Sequence, residues 1–75
     1  MRAVEVLKEP VELYKILKFE GMVLSGGEAK SVIAEGLVLV NAKVETRKRK
    51  KIVSGDIVEY GNKRIRIHLK QPGVN

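Results

Sequence analysis

The sequence predicts an α+β fold in which two helices pack against a small, mostly antiparallel sheet. Three observations carry that expectation. Leu13, Ile16 and Leu17, and then Ala29, Val32 and Ile33, recur at helical spacing in two segments joined by Met22 to Ser25. Leu37-Val38-Leu39-Val40 is a run of residues that favour strands, closed by turn-forming Asn41. Near the C-terminus Ile65, Ile67 and Leu69 alternate with Arg64, Arg66 and His68, the period of a strand with one face buried and one face wet.

Taken in chain order, Ala3 to Val6 reads as a short strand, ended by the charged Lys8-Glu9 step and by Pro10, which has no amide hydrogen for a ladder. The first helix is expected from Val11, with Pro10 suited to its opening, and Gly21 provides a left-handed stop. Ser25-Gly26-Gly27-Glu28 has the form of a capping box: the Ser25 hydroxyl accepts from the Glu28 amide while the carboxylate reaches back to the Ser25 amide. The second helix starts there and ends at Gly36. After the strand at 37–40, Asn41-Ala42 is a two-residue turn into Lys43-Val44-Glu45, although glycine would suit the second turn position better. Ser54-Gly55-Asp56 makes another turn, Ile57 to Tyr60 a strand, and Gly61-Asn62 the turn into the last strand. The expected organisation is one domain over 1–70 and a frayed, flexible tail over 71–75.

Composition narrows the class. A chain of 75 residues holds about one small core, and with 44% hydrophobic residues but only three aromatics that core must be mainly Val, Ile and Leu. The absence of cysteine removes disulfides and thiolate chemistry, and the recurring charges near the N-terminus leave no apolar run for a leader or a span. A soluble, cytoplasmic protein is expected. The charge is uneven: residues 1–42 carry −1 and residues 43–75 carry +7. A basic half on a small domain is the footprint of a polyanion partner.

The densest feature is Arg47-Lys48-Arg49-Lys50-Lys51, five consecutive cations between apolar segments. A solvated loop serving solubility is the plain alternative, but mixed-sign charge would do that with less self-repulsion. Phosphate neutralisation explains the density better, since each cation that meets a phosphate releases counterions. Lys15, Lys18 and Lys30, on the wet faces of the helices, join that surface only if the helices face the same way as the run. The amides at the start of the second helix could hold a phosphate, with Glu28 competing for the same place. Other chemistry finds no support. Gly21 to Gly26 followed by Lys30-Ser31 lacks the lysine a phosphate-binding loop needs directly after its second glycine. His68 stands alone, without partners at metal-ligand spacing, and the carboxylates are scattered, so neither a metal nor acid–base catalysis is expected.

The order of these pieces resembles a known family. Leu13-x-x-x-Leu17, then Ser25-x-x-x-Ala29-Lys30-x-x-Ile33-x-x-Gly36-x-Val38-x-Val40-Asn41, then Val53-x-Gly55-Asp56-x-Val58 is similar to the RNA-binding domain named after small-subunit ribosomal protein S-four. The resemblance covers about residues 11–60. Val44 to Ile52 resembles, more narrowly, the small stand-alone members of the YbcJ type. The resemblance implies an alpha-L motif, a helix pair on a small twisted sheet that grips structured RNA, and RNA contacts from Lys15, Lys18, Lys30, Arg47, Lys48, Arg49, Lys50 and Lys51, to which Lys43 is added as a further candidate in the basic half. Two positions depart from the family pattern. The first helix opens with Glu12-Leu13-Tyr14 instead of Arg-Leu-Asp, and Gly26 stands where an arginine often follows the serine. Both remove expected cations and shift weight toward the basic run.

The function expected is recognition of structured, ribosomal RNA by shape and phosphate contacts, in ribosome assembly or translation, by a monomer that is not an enzyme and uses no cofactor. Base stacking is the weaker mode, because Tyr14 and Phe19 are read as helix-face or core residues and only Tyr60 as free. The rival is a protein-interaction module in which Arg64 and Arg66 hold an acidic ribosomal or chaperone partner. Membrane attachment is not expected, for want of a long basic amphipathic helix.

Overall fold

The computed structural model of the chain describes residues 1–70, so the tail expected at 71–75 lies outside the described residues. Nine elements follow in order: β1 (Arg2–Val6), β2 (Val11–Glu12), α1 (Leu13–Phe19), α2 (Gly26–Ala34), β3 (Val38–Val40), β4 (Lys43–Val44), β5 (Lys51–Ile52), β6 (Ile57–Tyr60) and β7 (Lys63–Leu69). A five-stranded sheet has the order β1-β7-β6-β3-β4, and β2 pairs with β5 in a separate two-stranded piece. Every pairing is antiparallel except β1 with β7, which is parallel. The expected α+β architecture is therefore present.

The helices end by the same device. Gly21 and Gly36 sit at φ +69° and +79°, a region where a side chain would be strained. At the first end the Gly21 N–H donates to Lys18 O and the Met22 N–H to Leu17 O; at the second, Gly36 donates to Ile33 O and Leu37 to Val32 O. These paired bonds satisfy carbonyls that a helix end leaves open. At the start of α2 the Glu28 N–H donates to Ser25 Oγ at 3.1 Å, as expected. The return bond differs. Glu28 Oε1 accepts from the Leu24 N–H at 2.7 Å, one residue before the expected serine amide. Val11 and Glu12 are likewise not helical: they pair with Ile52 and Lys51, so α1 begins two residues later than its apolar spacing suggested.

The core lies between the helix pair and one face of the sheet. Leu13, Leu17, Ile33, Val38, Ile52, Val58, Ile65 and Ile67 are its largest fully buried side chains. Each removes apolar surface worth about 1.5–3 kcal/mol from water. Ile65 and Ile67 alternate inward along β7 while Arg64, Arg66 and His68 stay exposed. Phe19 departs from expectation, being 68% exposed, and Tyr60 is not free but packs against the core.

One polar knot fixes where the basic run leaves and rejoins the sheet. Asn41 Oδ1 accepts from the Ile57 N–H at 2.9 Å, its Nδ2 donates to Asp56 Oδ1 at 3.0 Å, and Asp56 Oδ2 accepts from the Val53 N–H at 2.9 Å. The β3–β4 turn is thereby tied to the turn that precedes β6. Asn41 and Ala42 both have positive φ, +53° and +69°, as a two-residue hairpin turn of the I′ type requires.

Asparagine tolerates that region, but alanine pays a steric cost there of about 1–2 kcal/mol, partly offset in glycine by its greater chain entropy. Ala42→Gly is expected to stabilise the domain by about 0.5–1 kcal/mol. Urea unfolding checks this: the midpoint rises while the slope stays unchanged.

Candidate nucleic-acid interface

The basic run is not a free loop. The Lys50 N–H donates to Arg47 O at 3.1 Å, closing a turn with Lys48 and Arg49 at its corners, and Lys51 continues into β5. Two carbonyls of this turn face the start of α1. The Leu13 N–H donates to Lys50 O at 2.9 Å and the Tyr14 N–H to Lys48 O at 3.1 Å. Glu12, at the N-cap, makes no side-chain capping bond, so the turn itself satisfies amides that would otherwise be open.

That docking brings cations from three segments to one aromatic ring. Lys30 Nζ of α2 lies 4.7 Å from the Tyr14 ring centroid, Lys15 Nζ of α1 lies 5.9 Å away, and the Arg49 guanidinium carbon of the turn 6.0 Å away. The negative face of an aromatic ring attracts each cation by about 0.5–1 kcal/mol at an exposed site. It does not cancel their mutual repulsion, so an incoming anion relieves charge that the fold has already gathered. Gly26, where the family pattern often has an arginine, borders the same place: a Cβ there would meet Lys18 Cδ and Tyr14 Cδ2 at 4.0 Å. Helix α2 thus begins beside this group, while Glu28 is turned back onto Leu24.

The nine expected contact residues fall into distinct settings. Lys15, Lys30 and Arg49 share Tyr14, and Lys18 flanks it with its stem while its Nζ lies 5.9 Å from the Phe19 ring. Lys48, Lys50 and Lys51 continue the surface along the turn and β5, with Lys48 and Lys51 exposed. Lys43, on β4 opposite Val40, takes no part in the Tyr14 group. Arg47 is engaged elsewhere: its Nε donates to Glu45 Oε2 at 2.9 Å and its Nη2 to Glu45 Oε1 at 3.1 Å, a forked pair that offsets its charge. Lys15 also faces Glu12 at 3.6 Å. On the rival face, Arg64 already donates to Glu59 at 3.3 Å, which leaves Arg66 as the less encumbered arginine there.

Tyr14, expected as a helix-face or core residue, does pack against the core, and what sequence reasoning missed is the cations its ring gathers. The only local hint was its spacing four residues before Lys18. Among the described residues, no group of three His, Cys, Asp or Glu side chains could hold a metal, and no helix is long and apolar enough to cross a membrane.

Comparison with known proteins matches residues 4–68 to the family model described as the S4 domain. A relative from Escherichia coli (strain K12), named "Putative RNA-binding protein YbcJ", is 49% identical over 57 residues, 76% of this chain and 81% of that protein. Another, from Bacillus subtilis (strain 168) and named "Probable ribosome maturation protein RlbA", is 39% identical over 51 residues, 68% of this chain and 72% of that one. The solution structure of YbcJ from E. coli, described as revealing an alfaL motif involved in RNA-binding, superposes with a TM-score of 0.70 at 45% identity. It covers 91% of this chain and 87% of its own.

The Arg47 fork has a pH signature. Its hydrogen bonds, before any other influence, hold the Glu45 carboxyl down from 4.5 to about 2. Because the folded value lies below the unfolded one, the stabilisation is complete above about pH 5 and is lost as pH falls through about 2. Glu45→Gln is therefore expected to be less stable than the parent at neutral pH, with the gap closing toward pH 2. Urea titrations of both proteins across that range measure the convergence; a gap independent of pH contradicts the assignment.

Proposed function

The chain belongs to the S4 domain family, and on that premise we propose that it binds structured RNA, ribosomal RNA first, through the surface centred on Tyr14. The observation that carries the reading is the convergence of Lys15, Lys30 and Arg49, from three separate segments, on one ring. The names of its relatives supply the biological setting: an RNA-binding protein and a ribosome maturation protein. In this reading the protein is a cytoplasmic monomer that assists ribosome maturation by holding RNA, and it catalyses nothing.

Phosphate contacts and shape carry the recognition. The Tyr14 ring is already engaged by cations and Tyr60 packs on the core, so neither ring offers a free face to a base. The arms of the surface, Lys18 and Lys30 on the helices and Lys48 to Lys51 on the turn and strand, diverge from a single point. That suits the backbone of a folded RNA, whose phosphates lie at spaced positions on a rigid shape. Lys43 and Arg47 stand at its margin, the latter with its charge offset by Glu45.

Binding of a structured hairpin RNA, an unstructured RNA and a DNA duplex at two salt concentrations tests the proposal. If about five phosphates are met, the log–log salt slope is near −3.5 and affinity for the hairpin falls roughly a hundredfold between about 50 and 200 mM salt. Lys30→Gln and Arg49→Gln each weaken binding and flatten the slope by about 1. The charge-conserving double variant Glu45→Gln/Arg47→Gln leaves affinity unchanged. Equal affinity for all three nucleic acids would remove the RNA specificity, and indifference to Lys30→Gln and Arg49→Gln would remove the surface.

A further inference from the structure

A second surface, separate from the Tyr14 group, lies between β1 and α1. Among the described residues, strand β1 is an edge of the five-stranded sheet, with β7 on one side only. Val6 O accepts from the Lys70 N–H, so the main chain of Val6 faces β7. By the alternation of a strand, the N–H and C=O groups of Ala3 and Glu5 then face the open edge. Beside that edge runs a groove of about 750 Å³. Its floor is Val4 and Ile16, with Val6 and Val11 half-buried, and its walls include Leu7 and Phe19, exposed by 82% and 68%.

Single exposed apolar side chains are ordinary, but here two large ones flank an apolar floor that runs alongside unused strand hydrogen bonds. An extended polypeptide fits both features at once, its main chain on the β1 edge and alternate side chains in the groove. The groove also has electrical polarity. Arg2, at the start of β1, holds Glu20 beyond the end of α1 at 3.0 Å, so that end is neutralised. Toward the other end stand Lys8, Lys15 and Lys51, with Glu5 and Glu12 among them. Lys15 faces Glu12, whereas Lys8, Lys51 and Glu5 form no ion pair among the described residues, which leaves one net positive charge at that end. A second copy of this chain would bring a net charge of +6 and the same lysines to the contact.

We infer that the β1 edge and its groove dock an extended protein strand with alternating apolar side chains and acidic residues at the end beside Lys8 and Lys51. The occupant pairs with Ala3 and Glu5 and covers Leu7 and Phe19. Lys15 and Lys51 border both this groove and the cationic surface, so RNA and a protein strand would lie side by side.

The probe is a synthetic acetylated peptide alternating valine and threonine and ending in two glutamates, added to the isotope-labelled full chain and followed by amide chemical shifts. The expected result is saturable shifts at Ala3, Glu5 and the groove face of α1. Glu5→Pro, which removes one outward N–H from an edge strand that tolerates proline, and Leu7→Ser each weaken binding about tenfold. Both variants keep the parent's affinity for hairpin RNA, which separates this inference from the RNA reading. Absence of shifts at β1, or equal binding by both variants, overturns it. So does equal affinity for a peptide ending in lysines. Hairpin RNA shifting the β1 edge would give the groove to nucleic acid, and a concentration-dependent dimer abolished by Glu5→Pro would give it to a second copy; each also overturns the inference.

Discussion

Two main-chain hydrogen bonds, from the Leu13 and Tyr14 amides to the carbonyls of Lys50 and Lys48, hold the cationic surface in place. They solve two problems together. A helix leaves its first amides without partners, and Glu12 offers no side-chain cap. A run of five cations, left to itself, would spread into solvent under its own repulsion. Joining the carbonyls of the run to the start of α1 satisfies the first and opposes the second, at about 1 kcal/mol net for each bond. The β2–β5 pairing and the Asn41–Asp56 knot hold the approaches to the run on either side.

Once the turn is seated, the chemistry of the surface follows from position. Carbonyls point inward to the helix, so the side chains of Lys48 and Arg49 remain outward, and Arg49 comes within reach of Tyr14. The helix pair places Lys30 over the same ring because the short connection of six residues, 20–25, leaves α1 and α2 as packed neighbours. Charge gathered by covalent and packing constraints is set before an anion arrives. That is pre-organisation, and it lowers the ordering cost of binding.

Much of this was legible in the sequence because its signals are local. Alternation in β7, the stops at Gly21 and Gly36, the Ser25 cap and the strand preceding Asn41 each depend on residues a few positions apart. What escaped depends on distant residues. Val11 and Glu12 fit a helical pattern until Lys51 and Ile52 offer them a ladder, and the parallel pairing of β1 with β7 joins residues from opposite ends of the chain. Glu28 caps one residue earlier than the motif suggests, since the chain before Ser25 bends to bring the Leu24 amide closer. The cationic run was plain, but its division was not: Arg47 turns back to Glu45 while Arg49 reaches across to Tyr14, and nothing in five consecutive cations distinguishes the two. Tyr14 itself was hidden because its role comes from what packs around it.

Amide hydrogen exchange in the free protein tests this account most directly. The first amides of an isolated helix exchange freely, and here, among the described residues, the carbonyls of the basic turn bind those of Leu13 and Tyr14. The account predicts that Leu13 and Tyr14 are protected to a degree comparable with the strands of the sheet, in the absence of any RNA. Exchange of both at the rate of an unstructured chain would mean that the turn is not seated on the helix, and the shared cationic surface would lose its foundation.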